Sequence, residues 1–175
     1  MTRDGLRLLA LLGLLAGVAL AARYRVTGEA VYEAQAPLGA FSGKNPTLEG
    51  EVTYEEASGR LEGQVCLDLS AWDSKEPLRD RHTREMFQVD RYPRACLTLK
   101  GLDPAKGVLL GVLDLHGVRR EVAIPVRHRT EGQRLLFQAD FTLRLSDYGL
   151  KAPSFMGMRV SDRVRVRVQG QGVAP

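Results

Sequence analysis

Three histidines, two cysteines and a cluster of arginines are the residues of this chain with the most chemistry in them. His82, His116 and His128 follow no common zinc spacing, so no metal site is expected from them. Cys66 and Cys96 each fall within a run of alternating apolar residues. A thiol there is more often structural than nucleophilic, although spacing alone leaves a Cys–His dyad open. There is no Gly-x-Ser-x-Gly elbow, phosphate loop or dinucleotide fingerprint, and no catalytic residue or cofactor is assigned. The cations are more informative. Arg79, His82 and Arg84 lie in one polar run, and Lys44 and Arg119 in other expected connections. Cations at the mouth of an apolar channel can hold an anionic or phosphorylated head group. Any one of them taken singly reads as ordinary surface charge.

The polar run is Leu78-Arg79-Asp80-Arg81-His82-Thr83-Arg84-Glu85-Met86-Phe87, continuing to Tyr92-Pro93. Ser74 can cap a helix there, Pro77 suits its first turn, and strong helix formers follow. One or two turns are expected between Pro77 and Phe87, and Pro93 returns the chain to extended structure.

The rest of the chain alternates at period two. Ala30, Tyr32, Ala34 and Ala36 share a face, as do Gly50, Val52 and Tyr54, and Leu61, Gly63, Val65, Leu67 and Leu69. Further sets are Ala95, Leu97 and Leu99; Leu109, Gly111, Leu113 and Leu115; and Val122, Ile124 and Val126. The last are Phe137, Ala139, Phe141, Leu143 and Leu145, then Val164, Val166 and Val168. About eight strands follow, joined by short turns such as Ala57-Ser58-Gly59 and Asp103-Pro104.

A closed barrel and a two-sheet sandwich both fit. Small inward residues favour a barrel with unfilled volume: Ala30, Ala34, Ala36, Gly50, Gly63, Ala95, Gly111 and Ala139. The expected wall of that volume is Tyr32, Phe41, Tyr54, Leu67, Leu97, Leu113, Phe141, Leu143, Val164 and Val166. Tyr32 and Tyr54 are the polar-capable members of the inward sets. His128 reads as exposed. Phe155-Met156-Gly157-Met158 suits a flexible cover or a small satellite core. Arg163, Arg165 and Arg167 alternate outward and read as a solvated face.

Residues 1–21 carry Arg3 and Arg7, the apolar run Leu8 to Leu20, and the small-x-small triplet Ala19-Leu20-Ala21. They read as a secretory signal peptide cleaved near Ala21. Residues 22–175 then form one domain, long enough for a core or an enclosed ligand. Without the three charges of the leader (Arg3, Arg7 and Asp4), the formal charge falls from +4 to +3. That suits an anionic head group or transient contact with a membrane surface, and no nucleic-acid motif accompanies it. Periplasmic or secreted placement makes a disulfide plausible. Cys66 and Cys96 both face away from the inward sets of consecutive strands, so a Cys66–Cys96 bond is expected. The register it requires, with Cα atoms within about 7 Å, is not given by sequence.

The chain resembles the YceI-like family. The residues that carry the likeness are Arg79-Asp80, His82, Arg84, Phe87, Val89 and Tyr92-Pro93; Gly111 to Val118; Asp147-Tyr148-Gly149; and Val160 to Val164. It runs from about Tyr24 to Val168. The resemblance implies an all-β, eight-stranded antiparallel lipocalin-like barrel with a short helical insertion, in secreted or periplasmic bacterial proteins. It implies a polyisoprenoid or similar long-chain lipid inside the barrel and no catalytic chemistry. Leu97 stands where relatives often carry an aromatic residue, and Tyr24 where they often carry Trp. Two other readings stay open: an enzyme acting on an isoprenoid lipid, and a filled-core secreted interaction module. Lipid identity and oligomeric state are not legible.

Overall fold

Alternation turns each long segment into a strand with one buried face. In β1 (Ala22–Ala36) the buried set is Tyr24, Val26, Ala30, Tyr32 and Ala34. The computed structural model describes residues 20–155 and 157–175, so the expected leader lies, but for its last two residues, outside the described residues. After β1 come β2 (Gly39–Glu55), β3 (Arg60–Asp68), helix α1 (Pro77–Phe87), β4 (Arg94–Asp103), β5 (Val108–Leu115) and β6 (Val118–Glu131). β7 (Arg134–Arg144), a two-residue hairpin of β8 (Ser154–Phe155) and β9 (Met158–Arg159), and β10 (Arg163–Val173) complete the order. Eight strands close an antiparallel barrel in the order β1-β10-β7-β6-β5-β4-β3-β2. The sandwich alternative is thereby set aside.

β2 does not keep one phase. Gly28 pairs with Leu48 but Ala30 pairs with Asn45, so β2 carries one extra residue at a bulge. Above the bulge Gly43 and Asn45 are buried; below it Leu48, Val52 and Tyr54 are. Asn45 is fully buried, and its amide is satisfied locally. Nδ2 donates to the Asp68 carbonyl at 2.7 Å, and Oδ1 accepts from Thr47 N and Thr47 Oγ1. Thr47 Oγ1 in turn accepts from Asp68 N. This knot ties β2 to β3 where their ladder stops at Glu49↔Cys66.

The small inward residues divide into two roles. A Cβ on Gly50 would collide with Gln64 O, and one on Gly63 with Glu51 O. Those glycines permit close strand approach and do not line the interior, nor does Gly111. The five alanines, Ala30, Ala34, Ala36, Ala95 and Ala139, do line it.

Helix α1 has 11 residues, about three turns rather than one or two. Pro77 is at its start as expected, but the cap is Glu76, whose side chain accepts from Leu78 N. Ser74 is instead held by Asp80: Ser74 N and Oγ both donate to Oδ1, at 3.0 and 2.6 Å. The helix stops at Gln88 in a left-handed conformation (φ 52°), before Pro93 is reached.

Cys66 and Cys96 are directly opposed across β3 and β4, with Cα atoms 4.1 Å apart, and are joined as a disulfide. Neither lines the interior. The bonded loop contains α1, so both ends of the insertion are anchored at one rung.

Candidate functional site

The barrel encloses a cavity of about 560 Å³. That is within the ~300–1,000 Å³ of small-molecule sites. One end is plugged by Tyr24, Val26, Val52, Tyr54, Leu61, Leu99 and Leu135. The other end is roofed by α1, which presents Arg79, His82, Thr83, Met86 and Phe87 to the cavity. Beside the helix the hairpin tip at Leu38, 84% exposed, also reaches the cavity, as do Pro153 and Met158. Met156 lies outside the described residues, so a cover by Phe155 to Met158 is represented here by Met158 alone.

The ten expected wall positions, nine of them read from alternation and Phe41 added to them, stand on the cavity: Tyr32, Phe41, Tyr54, Leu67, Leu97, Leu113, Phe141, Leu143, Val164 and Val166. Of the cations, Arg79 and His82 do; Arg84, Arg119 and Lys44 do not. Arg84 is on α1 but off the wall, and its carbonyl serves the helix end. Arg119 is exposed on the outer face of β6, opposite Asp114. Lys44 is not in a loop; it is an exposed residue of β2, bridged through its backbone to Asp73.

Among the wall groups that went unread in the sequence are His128 and Trp72. His128, expected to be exposed, faces inward, with Nε2 3.1 Å from Tyr54 Oη and the two rings edge-on at 5.5 Å. Its parity matches Val122, Ile124 and Val126, which was the available signal. Trp72 follows β3 just before the insertion, where no period reveals a face.

The roofed end concentrates the polar chemistry. Tyr32 packs edge-on against Phe41 and Trp72, with centroids 6.0 and 5.1 Å away. The Arg79 guanidinium lies 4.6 Å from the Phe41 ring centre. It donates through Nε to Ser74 Oγ at 2.9 Å and through Nη2 to the Ser74 carbonyl at 3.0 Å. The chain Asp80–Ser74–Arg79 therefore fixes a cation against an aromatic face. Tyr32 Oη and Trp72 Nε1 are buried here, and among the described residues neither makes a hydrogen bond, although the Ser74 and Thr83 side chains lie near the phenol. A buried donor left unpaired costs roughly 1–3 kcal/mol. Both are donors, both are on the cavity, and both could be satisfied by an oxygen of a bound molecule. Among the described residues, no three His, Cys, Asp or Glu side chains form a metal site.

Burial raises the phenol of Tyr32 above its usual value, an effect that nearby Ser74 and Arg79 reduce. Burial also raises Tyr54, with Glu56 adding to it, and Tyr148, against a lowering by Arg120. A tyrosine whose folded pKa exceeds its unfolded value near 10 stabilises the fold below that pH. The benefit is lost as pH rises through the folded value. The urea midpoint should therefore hold steady from neutral pH and fall above about pH 10, and Tyr32→Phe should soften that fall. A midpoint unchanged in strong alkali would contradict buried phenols.

A UPF0312 protein of Pseudomonas putida strain W619 is 28% identical over 158 residues, covering 79% of this chain and 81% of the relative. Another, from strain GB-1, is 27% identical over the same span. Among solved structures, BcnA of Burkholderia cenocepacia superposes with a TM-score of 0.74 at 16% identity, covering 82% of this chain and 95% of that one. A polyisoprenoid binding domain from Saccharophagus degradans gives 0.66 at 19% identity, covering 89% and 100%. At these identities the superpositions establish the barrel fold. The sequence profile of the YceI-like domain matches residues 26–171, and the chain belongs to the YceI-like domain family.

Proposed function

We propose that the barrel holds one long amphipathic lipid, a polyisoprenoid being the best fit, for carriage or sequestration outside the cytoplasm. The observation that carries this reading is a cavity walled by aliphatic and aromatic side chains with two donors unpaired among the described residues, Tyr32 Oη and Trp72 Nε1, at one end. The apolar chain would run toward Tyr54 and His128, gaining roughly 0.8 kcal/mol per buried methylene-sized group. The head would lie under α1, where Tyr32 and Trp72 donate and Arg79 supplies positive charge. The S. degradans neighbour, named for polyisoprenoid binding, supports the ligand class. The apolar run at residues 8–20 and the small-x-small triplet support export to the periplasm or beyond. Loading from a bilayer would need brief membrane contact, for which the exposed Leu38 beside the cavity is suited. An enzymatic reading would want convergent activated groups. The pair inside the cavity, Tyr54 and His128, has a phenol made harder to ionise.

Native mass spectrometry of protein purified without detergent, followed by lipid extraction, tests the proposal. One lipid adduct per chain is expected. Arg79→Glu should weaken retention of a pyrophosphate-headed isoprenoid by an amount equivalent to about 1–3 kcal/mol, whereas Arg84→Glu should not. A wild-type protein that carries no adduct and takes up no isoprenoid from vesicles would refute lipid binding. Equal retention by Arg79→Glu would remove the head-group role.

A further inference from the structure

The barrel wall is not equally bonded around its circumference. β10 pairs with β7 from Arg163↔Arg144 to Val173↔Arg134, and β5 pairs with β6 from Val108↔Pro125 to Leu115↔Val118. The β6–β7 ladder begins only at Val126↔Ala139 and ends at Glu131↔Arg134. Among the described residues, 118–125 of β6 therefore pair with β5 alone, and 140–144 of β7 with β10 alone.

The sequence supplies a reason. Pro125 has no N–H to offer β7, and the Val126 N–H donates to Gly107 O at 2.8 Å. Pro125 also makes this free edge a poor template for another strand. Continuing the register upward would set Ile124 opposite Phe141, and both line the cavity. On the outer face the two edges carry Ala123, Pro125 and Thr142, small and uncharged, with Glu121 and the Arg165-bonded Asp140 flanking them. The upper end is tied across. His116, in the two-residue turn with Gly117 (φ 55° and 71°), donates from Nδ1 to the Tyr148 carbonyl at 3.0 Å. Arg120 Nη1 approaches the Asp147 carbonyl at 3.5 Å.

We propose that this seam is a lateral portal, through which the apolar chain of the ligand passes sideways when β6 and β7 part above Val126; this rests on the lipid-binding reading. Parting any fully laddered pair breaks backbone hydrogen bonds. Parting these two segments breaks none, because the ladder is absent there. The ladder from Val126 to Glu131 acts as the hinge, and the His116 and Arg120 contacts as the latch.

The test joins the two edges outside the cavity. Ala123→Cys and Thr142→Cys are introduced together and bridged with a short bis-maleimide; Cys66 and Cys96, already bonded to each other, do not react. The same protein capped with a monofunctional maleimide is the control. The probe is nitrobenzoxadiazole-labelled geranylgeraniol delivered from phosphatidylcholine vesicles. Bridging should slow both uptake and release at least tenfold and leave the equilibrium affinity unchanged. Equal rates in bridged and capped protein would overturn the portal. Hydrogen exchange on the unmodified protein gives an independent reading: amides in 118–125 and 140–144 that face the seam should exchange much faster than those in 126–131. Uniform protection would also overturn it. A protein that shows the fast exchange but binds no probe would refute the lipid reading, and the portal with it, whereas binding with unaltered rates refutes the portal alone.

Discussion

Leu113→Asp should fold and yet hold about a thousandfold less lipid at neutral pH than the wild type. Leu113 is on the cavity wall, paired across β5 and β6 with the exposed Arg120, so the empty cavity can hydrate a carboxylate at that site. The lipid cannot. Seating an apolar chain strips water from the carboxylate, which answers by taking up a proton. Neutralising at pH 7 a carboxyl whose pKa is about 3.9 costs about 4 kcal/mol, at 1.36 kcal/mol per unit. The sign is specific. The complex binds more protons than the free variant, so affinity should climb close to tenfold for each unit of pH lost, levelling near pH 4. Leu113→Asn, polar but not titratable, should bind weakly with no such slope. Isoprenoid affinity measured at several pH values decides the matter. A Leu113→Asp protein that binds like the wild type at pH 7 would place the ligand somewhere other than this cavity.

The wall was legible because its signal is local. Nine positions chosen for period-two parity all reach the cavity, and the strand count follows from the same alternation with Gly and Pro at the turns. Parity also held information that was passed over. His128 continues the inward set of Ile124 and Val126, and Arg119 falls out of phase with it. Other features have no local signature. The bulge at Pro46 shifts β2 by one residue, so the upper and lower halves bury opposite parities; only the pairing with β1 reveals it. The donors at the roofed end come from a strand and from a nonperiodic segment, Tyr32 and Trp72, brought together by the closing of the barrel. The glycines were ambiguous for a physical reason: a missing side chain can mean empty space or a close backbone. At Gly50 and Gly63 it means the latter. The missing upper ladder between β6 and β7 was written in Pro125, but the meaning of one proline depends on which neighbour it faces.

Replacing both Cys66 and Cys96 with serine should lower the unfolding free energy by about 3–4 kcal/mol, from the chain-entropy estimate for a loop of this size. The bond closes a separation of 30 residues, which includes α1 and the segment carrying Trp72, Ser74 and Arg79. Reduction would free that loop in the unfolded chain. In the folded barrel β3 and β4 remain laddered on both sides of the pair, from Gly63↔Leu99 to Asp68↔Arg94. The Asn45–Thr47 knot still holds Asp68, and Leu69 N still donates to Pro93 O at 2.9 Å. The native geometry of the roof should therefore survive, and the penalty should appear almost entirely as unfolded-state entropy. Two results are expected together. The urea midpoint drops with little change in native-state lipid affinity, and reducing agent brings the wild type down to the variant's midpoint while leaving the variant unmoved. Matching midpoints for oxidised wild type and double serine variant would show that the bond contributes no stability. A large loss of lipid affinity at unchanged midpoint would show that its work is to position the roof instead.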